Sequence, residues 1–287
     1  MVLVLVTVIA VICYGGWVVY QKEKIIDDQP SIVQQSSNNE QKNLNQEIPK
    51  EPDSADTLEN PSQVASSDGK TYFVYGAPAG QNNKSIKKII ISLPGHGTTA
   101  DDGYKAWHDH IVGGEYAVAE FNWWRGTGEK TTDYYKPAEI IPQVEMFLSA
   151  QGYKDSDTVI LHGFSRGSAN TYAVIFQDRL KKPYIFDAVI SNAGKYQSDF
   201  PLADKVPTDS EITKNFTGVP WVLACGGLDP NPDRDGCPGM EETQAFLSEH
   251  GANVLGLVTD PSQGHGAFHM STLKLPAQAL SLIEAAL

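Results

Sequence analysis

The amino-acid sequence predicts a domain of the α/β class, in which a mostly parallel sheet carries helices on both faces. From about residue 70 to residue 287, short continuous apolar runs alternate with stretches of helical periodicity. Strands of a parallel sheet are buried on both sides and therefore form continuous apolar runs, whereas a surface helix shows one apolar face. Alternation of the two patterns is typical of βα units that build a parallel sheet.

The predicted elements follow one another with short connections. The helix that starts at Pro137 has proline in its first turn, where no backbone N–H is needed, and the helix that ends at His250 is closed by Gly251. The predicted strands cover 71–75, 88–93, 116–121, 158–161, 186–190, 221–224 and 254–258, and the predicted helices cover 137–151, 168–180, 240–250 and 277–287.

The N-terminal segment predicts a membrane helix. Residues 2–20 carry no charge and are almost wholly apolar, which is long enough to span a bilayer. No basic residue precedes the span and no small-residue cleavage site follows it, so an anchor over residues 1–21 is favoured over a signal peptide. Lys22 and Lys24 directly follow the span, and by the positive-inside rule they would place the chain after the span in the cytoplasm. The long polar segment behind them and a possible disulfide favour an extracytoplasmic domain, which is our expectation.

The next segment, residues 22–69, predicts a disordered linker. It is rich in Gln, Asn, Ser, Glu and Pro and has too few large apolar residues to offset the entropy of ordering. A single folded domain at 70–287 follows. The net charge of −13 excludes a nucleic-acid partner, because no basic stripe is present to neutralise phosphates. Nothing in the sequence indicates an oligomeric state.

The motif at Gly163–Gly167 reads Gly-Phe-Ser-Arg-Gly and lies between a predicted strand and a predicted helix. In this context G-x-S-x-G indicates a nucleophile elbow, a sharp strand-to-helix turn that exposes the serine hydroxyl. The glycines allow the tight turn and keep side chains away from the serine. Ser165 is therefore the predicted nucleophile.

A serine hydroxyl needs an adjacent base, and that base needs a carboxylate to orient it. Asp229 and His265 each follow a predicted strand, in the chain order Ser, Asp, His that the elbow architecture uses. Carboxyl ends of parallel strands meet at one edge of the sheet, so we expect these residues to lie together. For the acid role Asp233 and Asp235 are alternatives, and His269 competes with His265 as the base. Two free thiols and a disulfide are both open for Cys225 and Cys237.

A tetrahedral intermediate requires backbone N–H donors, which form an oxyanion hole. The N–H of Arg166, directly after the nucleophile, is one predicted donor. The other is expected from the glycine-containing loop after the strand at 88–93, with Thr98 as the best candidate. Trp123 and Trp124 follow another strand on the same side of the sheet, where they either line a substrate cleft or pack within a loop.

Residues 231–242 have calcium-loop spacing, with Asn231 in place of the first aspartate. Two prolines and the lack of a preceding helix favour an acidic loop that carries Asp229 over a bound ion. No Cys/His spacing typical of zinc occurs, and no metal or cofactor is predicted.

These pieces together resemble the α/β-hydrolase superfamily, and within it the esterase branch of polyhydroxybutyrate depolymerases and feruloyl esterases. The matching motifs span about Lys70 to Leu287 and comprise His96-Gly97-Thr98 with Ala100-Asp101-Asp102, the Gly163–Gly167 elbow, Gly227-Leu228-Asp229 and Gly264-His265-Gly266. The resemblance implies an α/β-hydrolase fold, a substrate contact at His96, and hydrolysis of small or polymeric carboxylic esters without a cofactor. The elbow sequence is also similar to those of some bacterial phospholipases.

Three functions remain open on the sequence alone. The first is a serine ester hydrolase with a Ser165-His265-Asp229 triad. The second is a peptidase or phospholipase on the same scaffold, and the third is a non-catalytic binding module of the same fold.

Overall fold

The computed structural model describes residues 61–78, 86–108, 110, 115–126, 133–155, 157–196 and 207–287. The predicted anchor at 2–20 and all but the last nine residues of the predicted linker lie outside these ranges. Within them, no helix combines the length and the apolar character needed to cross a bilayer.

The described residues form one eight-stranded sheet with the strand order β1-β2-β4-β3-β5-β6-β7-β8. The first two strands run antiparallel to their neighbours, and every pairing from β4 to β8 is parallel. The mostly parallel sheet is therefore confirmed. The strands are β1 Ser62–Ala65, β2 Tyr72–Gly76, β3 Lys88–Leu93, β4 Tyr116–Phe121, β5 Thr158–Phe164, β6 Ala188–Asn192, β7 Pro220–Gly226 and β8 Asn253–Asp260.

Helices cover both faces of this sheet, as the alternating pattern predicts. Apolar residues of α1, α6 and α7 pack on one face with Ile90, Ile160 and Val222, and those of α2 to α5 pack on the other with Ile91 and Leu161. The helices of the described residues are α1 Ala100–His108, α2 Pro137–Gln151, α3 Arg166–Asp178, α4 Asp209–Phe216, α5 Cys237–Glu249, α6 Ala267–Met270 and α7 Leu275–Glu284.

The folded domain begins before residue 70, where the sequence pattern suggested its boundary. Strand β1 pairs with β2, and both the backbone N–H and the hydroxyl of Ser67 donate to Gln143 Oε1 of α2, at 2.8 and 2.6 Å. Asp68 accepts a hydrogen bond from the Tyr135 hydroxyl at 2.8 Å. A short, largely exposed strand has no apolar run, so composition alone does not separate it from a linker.

A row of buried polar residues crosses the sheet beneath α1 and α6. Glu120, Ser92 and His162 are register partners on β4, β3 and β5, and each is at most 1% exposed. Ser92 Oγ lies 2.7 Å from His162 Nδ1, and Trp107 of α1 donates its indole N–H to the same nitrogen at 3.3 Å. Indole only donates, so Nδ1 is the acceptor and the His162 proton lies on Nε2.

Candidate active site

Ser165 occupies a strained turn between β5 and α3. Its backbone has φ 53° and ψ −114°, a conformation that residues with a side chain rarely adopt. A Cβ at position 163 would lie 2.5 Å from the Gly167 backbone, and one at position 167 would lie 2.0 Å from the Leu93 carbonyl oxygen. Both glycines are therefore required for the close packing of strand, turn and helix that the motif predicts.

Hydrogen bonds tie this turn to the neighbouring strand end. The backbone N–H of Ser165 donates to the Asn192 carbonyl at 2.8 Å, at the carboxyl end of β6. Ala193 in turn donates to the Ala224 carbonyl at 2.9 Å, at the end of β7. The elbow is thus joined to β6 and, through Ala193, β6 is joined to β7, the strand that precedes the Asp229 loop.

Asp229 and His265 form a hydrogen-bonded pair at that edge of the sheet. His265 Nδ1 lies 2.6 Å from Asp229 Oδ2, and the second carboxylate oxygen accepts the Asn231 N–H at 2.8 Å. The Asp229 side chain is fully buried, whereas that of His265 is 32% exposed. The imidazole lies against Phe164, the residue before Ser165, with 4.9 Å between ring centroids. Nδ1 faces the carboxylate, so Nε2 is the nitrogen left to act as a base.

The two loops that carry this pair are packed on one another. Leu228 donates its backbone N–H to the Gln263 carbonyl at 2.9 Å, and Gly227 donates to the Asp260 carbonyl at 2.9 Å. A Cβ at position 226 would lie 2.0 Å from the Gly264 carbonyl oxygen, so glycine is required there. The position of His265 relative to Asp229 is therefore set by the backbone of both loops.

Asp235, an alternative for the acid role, lies beside this pair but bonds elsewhere. Three potential ligand atoms lie within 4.8 Å of one another, close enough to hold a metal ion, and they come from Asp229, Asp235 and His265. Asp235 Oδ2, however, accepts two hydrogen bonds from the Arg234 guanidinium, at 2.8 and 2.5 Å. Asp229 is thus the carboxylate that hydrogen bonds the histidine.

The first half of the calcium-like spacing at 231–242 forms a compact turn before α5, and its second half lies within α5. The Asn231 carbonyl accepts backbone N–H groups from residues 234, 235 and 236, and Glu242 pairs with Lys195. The acidic side chains of this segment that would ligate calcium include Asp235 and Glu242, and both are engaged by cations.

Cys225 and Cys237 form a disulfide, with their Cα atoms 5.1 Å apart. Cys225 belongs to β7, and Cys237 is the first residue of α5. The bridge therefore closes the loop 226–236 that carries Asp229.

The loop after β3 approaches the nucleophile through Gly95. A Cβ at position 95 would lie 3.2 Å from the Ser165 Cβ. Thr98 directs its hydroxyl at the Gly95 carbonyl at 2.9 Å and its backbone N–H at the same oxygen at 3.4 Å. Both donors of Thr98 are therefore engaged within its own turn. The residue of this loop that approaches Ser165 is Gly95, three positions before Thr98, which the sequence pattern had suggested.

The two tryptophans after β4 have different environments. Trp123 is completely buried and donates its indole N–H to the Pro94 carbonyl at 3.0 Å. It therefore packs against the loop after β3 and does not line an open cleft. Trp124 is partly exposed and pairs through its backbone with Tyr134. His96 is exposed at the tip of the same loop, where contact with a ligand is possible.

The Arg166 side chain extends from the elbow toward these aromatic residues. Its guanidinium donates to the Tyr134 hydroxyl at 2.9 Å and lies 5.1 Å from the centroid of that ring. The Tyr134 ring in turn contacts Trp123, with 4.6 Å between centroids. Arg166 is thus connected to the residues that support the Pro94 loop.

No protein-family model and no curated protein matches the sequence. Solved structures do match. Brefeldin A esterase, a bacterial homologue of human hormone-sensitive lipase, superposes with a TM-score of 0.58 at 17% identity over 85% of this chain and 80% of that chain. An esterase from Rhizomucor miehei gives 0.59 at 16% identity over 79% and 82%, and a putative dienelactone hydrolase from Klebsiella pneumoniae gives 0.58 at 12% over 78% and 98%.

The chain has the α/β-hydrolase fold. At identities of this size the likeness concerns the fold, and a shared fold does not imply a shared chemistry. In this fold, Ser165, Asp229 and His265 lie at the edge formed by the ends of β5, β7 and β8.

Sequence reasoning missed two residues of this candidate site. Gly95 was present in the glycine-containing loop, but only the structure shows that it is the point of approach to Ser165. Tyr134 carried no sequence signal, because its role depends on a hydrogen bond to Arg166 across 32 residues of chain.

Proposed function

We propose that this protein is a serine hydrolase that cleaves carboxylic esters through an acyl-enzyme. The observation that carries the proposal is the 2.6 Å hydrogen bond between Asp229 and His265 beside the strained Ser165 turn. A buried carboxylate on Nδ1 orients an imidazole and stabilises its protonated form, which is the task of the acid in a Ser-His-Asp triad.

In this mechanism the Ser165 hydroxyl attacks the ester carbonyl while His265 Nε2 accepts its proton. The same proton then passes to the departing alcohol, and water releases the acyl group from the serine in a second round. The negative charge on the carbonyl oxygen is stabilised by the Arg166 N–H, one of the free donors of the first turn of α3, together with the loop that passes Ser165 at Gly95.

The descriptions of the superposed proteins favour esters over the alternatives. The superposed proteins are described as esterases and a putative dienelactone hydrolase. The resemblance of the motifs to polyhydroxybutyrate depolymerases and feruloyl esterases supports ester cleavage in this proposal without specifying the acyl group. A binding module has no need of a strained serine next to an oriented histidine, so the enzyme is favoured.

Labelling with a fluorophosphonate probe tests the proposal. We expect the wild type to be labelled at Ser165 and to hydrolyse nitrophenyl esters. We expect Ser165→Ala to lose both the labelling and the hydrolysis, while its melting temperature stays within a few degrees of the wild type. Ser168→Ala is a matched control, because Ser168 is fully buried in α3 and bonds the Gly194 carbonyl. Full esterase activity in Ser165→Ala contradicts the proposal.

We also infer that the domain lies outside the cytoplasm, anchored through residues 2–20. The disulfide between Cys225 and Cys237 supports this location, because disulfides persist in oxidising compartments. Protease added to intact cells should remove the domain. Protection of the domain until the cells are lysed would place it inside.

A further inference from the structure

Arg166 directly follows the proposed nucleophile, and among the described residues this cation has no counter-ion. Its hydrogen-bond partner is the neutral Tyr134 hydroxyl, and no carboxylate among the described residues pairs with it. The protein as a whole carries a net charge of −13, so carboxylates are abundant elsewhere on its surface. The guanidinium has five N–H donors, and Tyr134 occupies one of them.

The strand order places the segment that holds the guanidinium and the segment that carries the imidazole on opposite sides of β5. Tyr134, which holds the guanidinium, pairs with Trp124 just after β4. His265 follows β8. In the sheet, β4 lies two positions to one side of β5 and β8 lies three positions to the other. The elbow at the end of β5 therefore has a cation on one flank and the base on the other.

This arrangement assigns the two halves of an ester. The imidazole that accepts the serine proton later donates it to the leaving alcohol, so the alcohol must lie on the His265 side. The carbonyl oxygen is directed at the Arg166 N–H, and the acyl chain leaves the same carbon, so we place the acyl chain within reach of the Arg166 side chain. Two apolar side chains are exposed on the segments beside His265, because Leu228 is 66% exposed and Met270 is 72% exposed.

Resting on the proposed function, we propose that the acyl half of the substrate carries a second carboxylate, so that the substrates are half-esters of dicarboxylic acids with an apolar alcohol. A planar guanidinium with free donors matches a carboxylate in a bidentate geometry, and charge-assisted hydrogen bonds of this kind are stronger than neutral ones. Arg166 is the specificity-determining residue through its side chain, separately from its backbone N–H.

The test compares nitrophenyl half-esters from malonate to adipate with neutral nitrophenyl esters of matched length. The measured quantity is the ratio of kcat/KM for the charged ester to that for its neutral match. For at least one half-ester length, we expect this ratio to be ten or more in the wild type. We expect Arg166→Gln to lower the ratio by about 10- to 100-fold, since a hydrogen bond to a charged group contributes about 1.5–3 kcal/mol.

Two further variants separate a specific contact from a general charge effect. Arg166→Lys keeps the charge without the planar fork and should give an intermediate ratio. Lys214→Gln removes the same unit of charge from an exposed position on α4 and should leave the ratio unchanged. An equal fall in Lys214→Gln would overturn the specific role of Arg166.

The outcomes for the two proposals are distinguishable. Cleavage of neutral esters with no preference for half-esters, and a ratio unaffected by Arg166→Gln, overturns the dicarboxylate inference and leaves the ester hydrolase standing. If neither the half-esters nor the neutral esters are cleaved, calorimetry of monomethyl glutarate binding to Ser165→Ala tests whether the anion site exists. Binding that is lost in the Ser165→Ala, Arg166→Gln double variant supports the anion site, and absence of binding overturns it.

Discussion

Ser165 illustrates how a single residue reveals its role through backbone conformation. A non-glycine residue at positive φ costs about 1–3 kcal/mol and persists only where its surroundings impose it. Here the surroundings are the hydrogen bond from its N–H to Asn192 and the glycines on each side. The strain holds the side chain away from both strand and helix, where a substrate can reach it.

The hydrogen bond between Asp229 and His265 leads to a prediction for the acid. Asp229→Asn keeps an oxygen for the Asn231 N–H but no longer favours the protonated imidazole or fixes its tautomer. We expect kcat to fall by about 10³–10⁴-fold. Asp235→Asn is the matched control, because its carboxylate bonds Arg234, and kcat measured with the same ester should fall less than tenfold. A larger loss in Asp235→Asn than in Asp229→Asn would reverse the assignment.

The elbow glycines give a second prediction at the residue scale. In Gly167→Ala the new Cβ would meet the Leu93 carbonyl oxygen at 2.0 Å, so the strand or the turn must shift. We expect the free energy of unfolding in urea to fall by about 1–3 kcal/mol, together with loss of fluorophosphonate labelling. Gly264→Ala, beside His265, meets its nearest atom at an ordinary 3.5 Å and should unfold close to the wild type.

At the scale of elements, the β7–α5 connection holds the acid in place by a covalent bond. The disulfide closes a short loop around Asp229, and Gly236 and Gly239 pack closely on Pro232 and Asp233 within the same segment. The loop is thus restrained at both ends, which limits the motion of the carboxylate relative to His265.

Reduction of this disulfide should lower stability and activity together. A loop of this length is stabilised by about 2–3 kcal/mol through the restriction of the unfolded chain. We expect reductant to lower the melting temperature and the esterase rate of the wild type. The Cys225→Ala, Cys237→Ala double variant should start from the lower values and show no response to reductant. Equal melting temperatures before and after reduction, with free thiols verified by titration, would contradict this expectation.

The single-turn helix α6 attaches the His265 loop to the sheet. Phe268 lies against Trp107 and His162, with ring centroids 5.6 and 5.5 Å apart, and His269 contacts the same two rings. His269 competed with His265 for the role of base. Its Nε2 is buried, and burial with the nearby His110 lowers its pKa to about 3, so it stays neutral under this aromatic cluster.

For the whole molecule, the buried polar row predicts how stability depends on pH. Burial raises the pKa of Glu120 from 4.5 to about 8. The folded protein therefore keeps a proton that the unfolded chain loses above pH 4.5, and this contribution to stability is lost as the pH rises toward 8. His269 acts in the opposite direction, because its lowered pKa makes stability fall as the pH drops from 6.5 toward 3.

The free energy of unfolding, measured in urea from pH 5 to pH 9, tests the Glu120 contribution. Glu120→Gln keeps a neutral side chain of similar size, so its stability should vary less over this range than that of the wild type. Glu249→Gln changes an exposed glutamate on α5 and should leave the wild-type profile unaltered. If Glu120→Gln retains the full wild-type slope, the carboxyl is already ionised in the folded protein.

The sequence by itself determined the class of fold and the order of the site residues. Continuous apolar runs marked β3 to β8, because strands buried on both faces need them, and the glycines of the elbow marked the turn at Ser165. It did not predict α4, which spans Asp209–Phe216, nor β1 and the single turn of α6, and neither of the last two carries a periodic apolar pattern of its own.

Only the tertiary structure decided which side chains meet. It showed that Asp229, not Asp235, hydrogen bonds His265, that Trp123 is buried beneath Pro94, and that Arg166 reaches Tyr134. Each of these contacts joins residues brought together by loop paths and strand register across the sheet. Local sequence patterns determine the type of an element, whereas contacts between loops depend on the packing of the whole chain.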